Sequence, residues 1–418
     1  CCGLKGEKMD FKDTPEEASF RAEARTFLDA HAERKSPGAS FETPDSVDEL
    51  IIAAKAWQAK KAAAGFAGIT QPEKYGGRGG TTLERVIYDQ EEANYVTPIG
   101  VYEIGLGMCI PTMLAYATEE QKKRYAPPAF RGEEIWCQLF SEPQAGSDLA
   151  NLRLRAEQDG DDWILNGQKI WTSGAHFCDY GVIVTRSDPS LPKHKGLTYF
   201  FLDMKSPGVE CRPIHQISGA SNFNEVFFTD VRVPDSQRLG KIGDGWRVSL
   251  TTLMNERLAI GERPPPAFEE IFQLAKEIEL EGGMAIEDGG VREKLADWYV
   301  DGRGVTLTRF RSLTALSRGQ DPGPENSIGK AITGKMRQDI ASFGMDLMDI
   351  SGAVFDMDNA PMRGMFQDAL LSAPSGRIAG GSDEILRNII AERVLGLPQD
   401  VRVDKGIPFS ELVKKEKA

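Results

Sequence analysis

The sequence predicts an α+β protein with an N-terminal helical domain, a middle antiparallel β domain and a C-terminal helical bundle. Apolar residues recur at helical spacing in the first and last thirds, and short β-rich runs with turn signals fill the middle. A chain of 418 residues is long enough for several domains. We expect these domains at residues 9–130, 131–241 and 242–398, followed by a C-terminal tail at 399–418.

The N-terminal third carries clear helix signals. Thr14, Pro15 and Glu17 form a capping box with proline at the first helical position. Apolar spacing predicts further helices, at residues 50–64, 83–95 and 119–125. Met9 is expected to be the natural start of the chain, which would set residues 1–8 apart from the fold.

The middle of the chain reads as strands. Residues 163–171 predict two strands joined by a tight turn at Asn166-Gly167, and Asp159-Gly160 marks another turn. Further β-rich runs lie at 180–185, 197–202 and 225–228. This pattern is typical of an antiparallel sandwich or barrel of about 100 residues.

Helical spacing returns at Gly243 and continues nearly to the C-terminus. The predicted helices span 245–260, 267–280, 290–318, 325–349 and 383–395. Consecutive helices with short links are typical of a bundle.

Composition limits the possible functions. The net charge of −13 argues against a general nucleic-acid binder, and no run approaches the roughly 20 apolar residues of a membrane span. The absence of CxxC spacing indicates a reducing cytoplasm. The sequence has four histidines, and no two of them are spaced as metal ligands, which argues against a metal site. The cysteines concerned are Cys109, Cys137, Cys178 and Cys211.

Two stretches in the middle of the chain offer binding chemistry. CQLFSEPQAGSD, residues 137–148, places small and hydroxyl residues where a phosphate or a ring edge could bind. GQKIWTSG, residues 167–174, places a tryptophan before two hydroxyl residues, which could stack on an aromatic cofactor and hydrogen-bond its edge. A loop leaving a strand and a core tryptophan are the corresponding structural interpretations.

A third stretch, residues 244–261, predicts a helix with a charged pair near its apolar face. Arg257 falls inside the stripe and Glu256 on its flank, without a local partner of opposite charge. A carboxylate there is either functional or paired with another helix. The stripe consists of Trp246, Leu250, Leu253 and Ile260.

A glycine-rich bend, IAGGSDEILRN, occupies residues 378–388. Gly380 and Gly381 let the backbone approach a ligand closely, and Ser382 or Asp383 reads as the cap of the next helix.

These stretches together resemble the acyl-CoA dehydrogenase family. The points of match are PEKYGG, FSEPQAGSD, LNGQKIWTSG, FFTDVRVP, GDGW, MNERLAIG and IAGGSDEILRNIIAERVLG, which stand in the family's order from about Phe11 to Pro398. The resemblance implies the family's architecture, in which the C-terminal domain is a four-helix bundle.

The resemblance also implies FAD, bound between the β domain and the bundle. Trp171 would pack on the isoalloxazine and Ser173 would reach its N5 edge. Three residues, Ser382, Asp383 and Glu384, would meet the ribose region. The flavin and its pyrophosphate would be lined by Gln138, Phe140, Ser141, Gly146 and Ser147.

In many relatives the catalytic glutamate stands at the position of Gly380, where this chain has no carboxylate. The isovaleryl-CoA and long-chain branches take it from the position of Glu256, which is therefore the expected base. The backbone of Gly380 is expected to bind the thioester carbonyl. Ser147 and Arg257 are expected to contact the substrate.

The implied reaction is α,β-dehydrogenation of an acyl-CoA, with electrons passed to an electron-transfer flavoprotein. We expect a homotetramer, or a mixed tetramer, in a bacterial cytoplasm. Residues 277–290 lack the family's Arg-x-x-Phe-Gly segment, and DISGAVF at 349–355 replaces its glycine-rich adenine contact. A flavin monooxygenase or oxidase on this scaffold, or a flavin-free support subunit, are the alternative interpretations.

Overall fold

The chain forms two compact units, each assembled from three separate segments. A computed structural model describes residues 13–35, 46–259, 266–317, 323–356 and 358–416. Unit 1 comprises Cys1–Phe41, Gly80–Thr97 and Glu262–Leu397, and unit 2 comprises Glu42–Gly79, Pro98–Gly261 and Pro398–Ala418. The domain boundaries predicted from the sequence stay a prediction, since the two compact units divide the chain at other positions.

Helices dominate the two ends of the chain, as predicted. The α-helices of the described part are α1 Pro15–His31, α2 Val47–Ala63, α3 Thr82–Glu92, α4 Ile110–Tyr116, α5 Glu119–Phe130, α6 Gly245–Ala259, α7 Phe268–Glu277, α8 Gly289–Ser317, α9 Asn326–Met348, α10 Met365–Ser372, α11 Asp383–Ile389 and α12 Phe409–Glu416.

Strands fill the middle. Those of the described part are β1 Glu33–Arg34, β2 Tyr95–Val96, β3 Trp136–Leu139, β4 Arg155–Asp159, β5 Asp162–Ser173, β6 Tyr180–Arg186, β7 Leu197–Asp203, β8 Val209–Ile214, β9 Phe223–Pro234, β10 Glu279–Leu280 and β11 Gly283–Met284.

Local sequence signals explain the first helix. The Thr14 hydroxyl accepts from the Glu17 N–H, and the Glu17 carboxylate accepts from the Thr14 N–H, so the predicted capping box is formed. Helices α2, α3 and α5 likewise lie within a few residues of their predicted positions. The sequence prediction missed α4, α10 and α12, all of eight residues or fewer.

The central sheet of unit 2 has seven strands in the order β3-β6-β4-β5-β9-β8, with β7 also paired to β6. Most pairs are antiparallel, whereas β3 and β4 pair with β6 in parallel. The prediction of a β middle is confirmed, and the structure adds the two parallel pairings. Both matter for the site, because they bring the ends of β3 and β6 to the same edge.

The hairpin predicted at Asn166-Gly167 is wrong. Strand β5 runs through these residues and pairs with β9 on both sides of a bulge. Asn166 exchanges two hydrogen bonds with Asp230 of β9, whose φ is +50°. Gly167 has φ +143°, and a Cβ there would lie 2.9 Å from the Leu154 Cα. The dipeptide therefore signals a β-bulge instead of a turn. The turn predicted at Asp159-Gly160 does join β4 to β5.

Each unit has its own core. In unit 2 both faces of the sheet are covered, and Val182, Ile183, Val184 and Tyr199 to Phe201 are fully buried. In unit 1 the core lies among α7, α8, α9 and α10 around Ile271, Ile340 and Phe366. Among the described residues, no helix combines the length and the apolar character that a membrane span requires.

Candidate functional site

Residues 140–148, here called the hydroxyl loop, leave the end of β3 in unit 2. Ser141 is half-buried, whereas Gly146 and Ser147 are exposed. A Cβ added to Gly146 would meet nothing within 4 Å, so the space beside the loop is open. Phe140 is buried, and Gln138 is half-buried on β3. The predicted flavin contacts of this segment therefore present small groups and hydroxyls at an open surface.

The base of the hydroxyl loop is held by the Glu142 carboxylate. One oxygen, Oε2, accepts from the Arg153 N–H at 2.6 Å and from Gln144 Nε2 at 2.7 Å. The other, Oε1, accepts from the Leu154 N–H at 3.0 Å and from Lys169 Nζ at 2.9 Å. Four donors thus satisfy a buried carboxylate and fix the loop's direction.

Lys169 of β5 is the partner that neutralises Glu142. Its side chain is 0% exposed and that of Glu142 is 2% exposed. Lys169 Nζ also donates to the Phe140 carbonyl at 2.9 Å, and the Ile170 N–H donates to the Ser141 carbonyl at 2.9 Å. Burial lowers the pKa of Lys169, and the nearby Glu142 opposes that shift. Removing either partner would leave a buried charge alone, which costs about 3–5 kcal/mol.

Trp171, two residues beyond Lys169, is both strained and exposed. Its φ is +59°, and 56% of its surface is accessible. The conformation arises at the second bulge of β5, where the pairing with β9 slips between Lys169 and Thr172. A bulky residue with positive φ and an open indole ring costs stability, so it points to a role in binding.

The strand end after Trp171 is fixed by Asn224 of β9, which is fully buried. Asn224 Nδ2 donates to the Thr172 carbonyl at 3.0 Å, and its Oδ1 lies 3.0 Å from His176 Nδ1. Ser173, the predicted N5 contact, is half-buried and pairs with Phe223.

Behind the hydroxyl loop lies the C-terminal strap, residues 398–416. The Arg186 guanidinium lies over the Phe409 ring at 3.9 Å, and its Nη2 donates to the Ala150 carbonyl at 2.6 Å. Burial lowers the pKa of Arg186 to about 10, so it stays protonated at neutral pH. Lys193 Nζ contacts Asp148 at 2.8 Å and Asp404 at 2.5 Å, which joins the loop to the strap.

Residues 376–381 of unit 1, here called the glycine bend, precede α11. Gly380 and Gly381 have φ of +66° and +99°, a conformation that glycine alone adopts freely. Ser382 is the N-cap, and its hydroxyl accepts from the Ile385 N–H. Asp383 is buried and forms an ion pair with Arg377 at 2.6 Å, whereas Glu384 is exposed.

Helix α6 carries the predicted base position. Glu256 and Arg257 lie in its last turns, and their side chains fall outside the described part of the structure. Helical spacing places position 256 on the same face as Ser249 and Thr252, which are fully buried. Thr252 Oγ1 lies 2.9 Å from the Tyr199 hydroxyl, which anchors this face to the sheet.

The apolar stripe predicted for α6 is partly wrong. Leu250 is 43% exposed, and the fully buried face is formed by Val248, Ser249 and Thr252 instead. Trp246 and Leu253 do pack partly against the core, whereas Ile260 lies outside the described residues. Hydroxyls that bond to neighbouring helices and strands replace the expected apolar contacts, and an apolar pattern cannot reveal them.

A surface cavity of about 660 Å³ in unit 1 lies between α8 and α9. It is lined by Trp298, Met336 and Phe343 together with charged residues, among them Asp297 and Arg387. None of the predicted site residues lines it. Among the residues that the structure describes, no cluster of three His, Cys, Asp or Glu could hold a metal ion.

Sequence reasoning missed the residues that hold the site in place. Lys169 and Arg186 are charged residues inside apolar strands, which is a recognisable signal of buried pairing or function. Glu142 and Lys193 act through partners that are distant in sequence, Lys169 and Asp404 among them, and no local pattern identifies those partners.

Comparison with known proteins places this arrangement in a family. Residues 14–133, 137–231 and 243–395 match the N-terminal, middle and C-terminal domains of acyl-CoA dehydrogenase. "Acyl-CoA dehydrogenase FadE34" of Mycobacterium tuberculosis is 40% identical over 78% of this chain, which spans 44% of that protein's length. "Acyl-CoA dehydrogenase IpdE1" of the same organism is 35% identical over 92% of this chain and 98% of its own length.

Solved structures agree. "Tcur3481-Tcur3483 steroid ACAD" has a TM-score of 0.77 at 27% identity and covers 94% of this chain and 100% of that one. The "ChsE4-ChsE5 complex from Mycobacterium tuberculosis" has a TM-score of 0.75 at 25% identity, with 94% and 100% covered. A helical protein with a curled middle sheet of this kind is the scaffold of a flavin-dependent oxidoreductase. The chain belongs to the acyl-CoA dehydrogenase family, whose members are FAD-dependent.

The described residues are of the types that a flavin needs. An exposed indole held in a strained conformation offers a stacking surface, and the open space beside Gly146 admits a bulky group. The exposed Ser147 and the half-buried Ser141 of the hydroxyl loop supply hydroxyl groups as hydrogen-bonding partners.

Proposed function

We propose that the chain catalyses α,β-dehydrogenation of an acyl-CoA thioester to the trans-2-enoyl-CoA. The observation that carries this proposal is Trp171, an exposed aromatic residue with φ +59° beside a loop anchored by buried charges. Strain of this kind persists only where the surrounding structure enforces it. Membership of the family supplies the reaction class.

In the proposed reaction the Glu256 carboxylate removes the proton from the α-carbon, and its own charge is neutralised as it does so. Bound FAD supplies the acceptor for the hydride that leaves the β-carbon. The Gly380 N–H donates to the thioester carbonyl, where enolate-like charge develops. Ser147 and Arg257 contact the substrate.

The remaining predicted residues would hold the cofactor. Trp171 would stack on the isoalloxazine, and Ser173 would donate to its edge. Asp383 already accepts from Arg377, so its role toward the ribose would be shared with that ion pair. The other contacts would come from Gln138, Phe140, Ser141, Gly146, Ser147, Ser382 and Glu384.

The acyl group can be found with a panel of thioesters. Octanoyl-CoA, isovaleryl-CoA and a steroid side-chain CoA thioester are each added anaerobically to the FAD-loaded protein while the visible flavin absorbance is followed. Since the similar structures include one titled a steroid ACAD, we expect the steroid thioester to bleach the flavin fastest. A flavin that none of the thioesters bleaches would contradict the proposal.

The same preparation distinguishes the alternative functions. Rapid reoxidation of the substrate-reduced flavin by air would favour a monooxygenase or oxidase. A folded protein that neither contains nor takes up FAD would favour the flavin-free support subunit.

We further propose an electron-transfer flavoprotein as the electron acceptor, a homotetramer as the assembly, and the bacterial cytoplasm as the location. A mixed tetramer is the alternative assembly to test, because one similar solved structure is a complex of two different proteins, ChsE4 and ChsE5. Light scattering of the chain expressed alone decides between them, since a stable monomer would indicate a missing partner chain.

A further inference from the structure

Helix α9 presents one face to the glycine bend. Gly334, Arg337 and Gln338 follow Lys330 by four, seven and eight residues, so all four lie on one side of the helix. Each of them lies against the segment between Ser372 and Gly381.

Lys330 holds both ends of the glycine bend. Its Nζ donates to the Gly381 carbonyl at 2.6 Å and to the Gly376 carbonyl at 3.3 Å. The four residues between these carbonyls include Gly380, whose N–H is the proposed donor to the thioester. Charge-assisted hydrogen bonds of this kind are about twice as strong as neutral ones.

The other members of the face secure the segment on either side. Arg337 Nη2 donates to the Ser372 hydroxyl at 3.2 Å, and Gln338 Oε1 accepts from Arg377 Nη1 at 3.1 Å. Arg377 in turn pairs with Asp383, the first residue of α11.

Gly334 lets the helix and the bend come close. A Cβ at this position would lie 3.1 Å from the Gly376 carbonyl oxygen, which is tighter than ordinary contact. This face of α9 therefore combines a lysine that donates to two carbonyls with a glycine that leaves space for one of them.

We propose that Lys330 is a positioning residue that aims the Gly380 N–H at the thioester carbonyl. This inference rests on the proposed function, in which that N–H stabilises developing charge. Two consecutive glycines can adopt many conformations, and Lys330 restricts them to one by fixing the carbonyls at both ends. The residue touches neither substrate nor cofactor in this role.

The test compares two CoA ligands that differ in the carbonyl. 3-Thiaoctanoyl-CoA carries the thioester carbonyl, and S-octyl-CoA lacks it. Binding to the FAD-loaded protein is measured by calorimetry for the wild type, Lys330→Met and Lys330→Arg. We expect Lys330→Met to lose about tenfold in affinity for the carbonyl ligand while S-octyl-CoA binds unchanged, and Lys330→Arg to recover part of the loss.

Kinetics and hydrogen exchange complete the design. With the best thioester, Lys330→Met should lower kcat by about 10–100-fold, because a misaimed donor no longer stabilises the charge that develops on the carbonyl in the transition state. Amide exchange over residues 376–381 should accelerate. The control is Lys335→Met in the same helix, whose partner is Asp339.

The outcomes separate the two proposals. Equal losses for both CoA ligands, or equal effects of Lys335→Met, would overturn the positioning role. Unchanged exchange in the bend would also overturn it. If no thioester reduces the wild-type flavin, the proposed function fails, whereas the exchange result still decides whether Lys330 orders the bend.

Discussion

The hydroxyl loop and the glycine bend are both irregular segments with small residues, yet they are held by different means. The loop rests on a lysine whose side chain is 0% exposed, paired with a carboxylate that accepts four hydrogen bonds. The bend is held by partly exposed side chains from a single helix face. The first arrangement cannot shift without leaving a charge unpaired in the core, whereas the Lys330 cation that holds the second is partly open to solvent.

This difference suggests that the two segments serve different kinds of ligand. A cofactor that stays bound through many turnovers is served by a rigid support with satisfied buried charges. A substrate that enters and leaves is served by a segment whose opening costs little free energy. Substitutions in each region test whether the two regions contribute to chemistry and to stability in this way.

The largest effect is expected at the proposed base. Glu256→Gln keeps the size of the side chain and removes its basicity, so flavin reduction should slow by about 10²–10⁴-fold. FAD binding should survive. Anaerobic stopped-flow absorbance measures both quantities.

The same experiment on Asp383→Asn tests whether the base lies on α6 or at the start of α11. Asp383 is engaged by Arg377, so this variant should retain more activity than Glu256→Gln. A nearly normal rate in the Glu256→Gln variant, together with an inactive Asp383→Asn variant, would assign the base to Asp383 at the start of α11.

The second largest effect is expected from the buried pair. Lys169→Met leaves the Glu142 carboxylate without its cation, which should cost about 3–5 kcal/mol of unfolding free energy and weaken FAD binding. The matched control is Lys205→Met, since Lys205 is 74% exposed and pairs with Asp179 at the surface. Such a pair contributes about 0–1 kcal/mol. Urea unfolding that ranks the two variants equally would contradict the proposed rigid support.

A smaller, pH-dependent effect is expected from the strap. Lys193 lowers the pKa of Asp404, so the carboxylate contributes stability above its ordinary pKa of about 3.9 and loses it as pH falls through the lower folded value. The urea midpoints of wild type and Asp404→Asn should therefore differ by a constant amount from neutral pH down to about pH 4. Below that the difference should vanish.

Asp400→Asn provides the control for the strap, because Asp400 is exposed in the same segment. Its midpoint should match that of the wild type at every pH. A difference for Asp404→Asn that persists in strong acid would show that the ion pair with Lys193 is not its source.

The smallest effect is expected from two glycines of α9. Gly329→Ala places a methyl group in ordinary contact, 3.5 Å from Val305, and should stabilise the helix by about 0.5–1 kcal/mol. Gly334→Ala pushes against the Gly376 carbonyl, so it should gain less stability and lower kcat. Thermal unfolding and steady-state kinetics measure the pair. Identical behaviour of the two variants would show that the bend does not depend on the gap at Gly334.

Local sequence patterns predicted most of the helices and strands. Contacts between residues that are distant in sequence determine the geometry of the candidate site, and those contacts could not be predicted. The capping box at Thr14 was predictable because both of its partners lie within one helical turn. Asn166-Gly167 was misread because its partner, Asp230, comes from another strand. The same physical reason explains why Trp171 could be singled out by type, whereas its positive φ could not be predicted. That conformation depends on the slipped pairing with β9.

The missed supports follow the same rule. Lys169 pairs with a residue 27 positions away, and Lys330 donates to a carbonyl 51 positions away. Such pairs form only because the folded chain brings distant residues together, so local patterns in a single sequence do not reveal them.

The interleaving of the two units has a consequence for biosynthesis. Unit 2 begins with Glu42–Gly79 and receives its last segment only with Pro398–Ala418, after all of unit 1 has been made. During synthesis on the ribosome, the contact between the Arg186 guanidinium and the Phe409 ring therefore cannot form until more than two hundred further residues have been added. Domains usually fold one after another during synthesis. Unit 2 cannot fold early in this way, because it stays incomplete until the strap leaves the exit tunnel, whereas unit 1 is complete at Leu397. The nascent protein should therefore depend on chaperones more than its ordinary composition indicates.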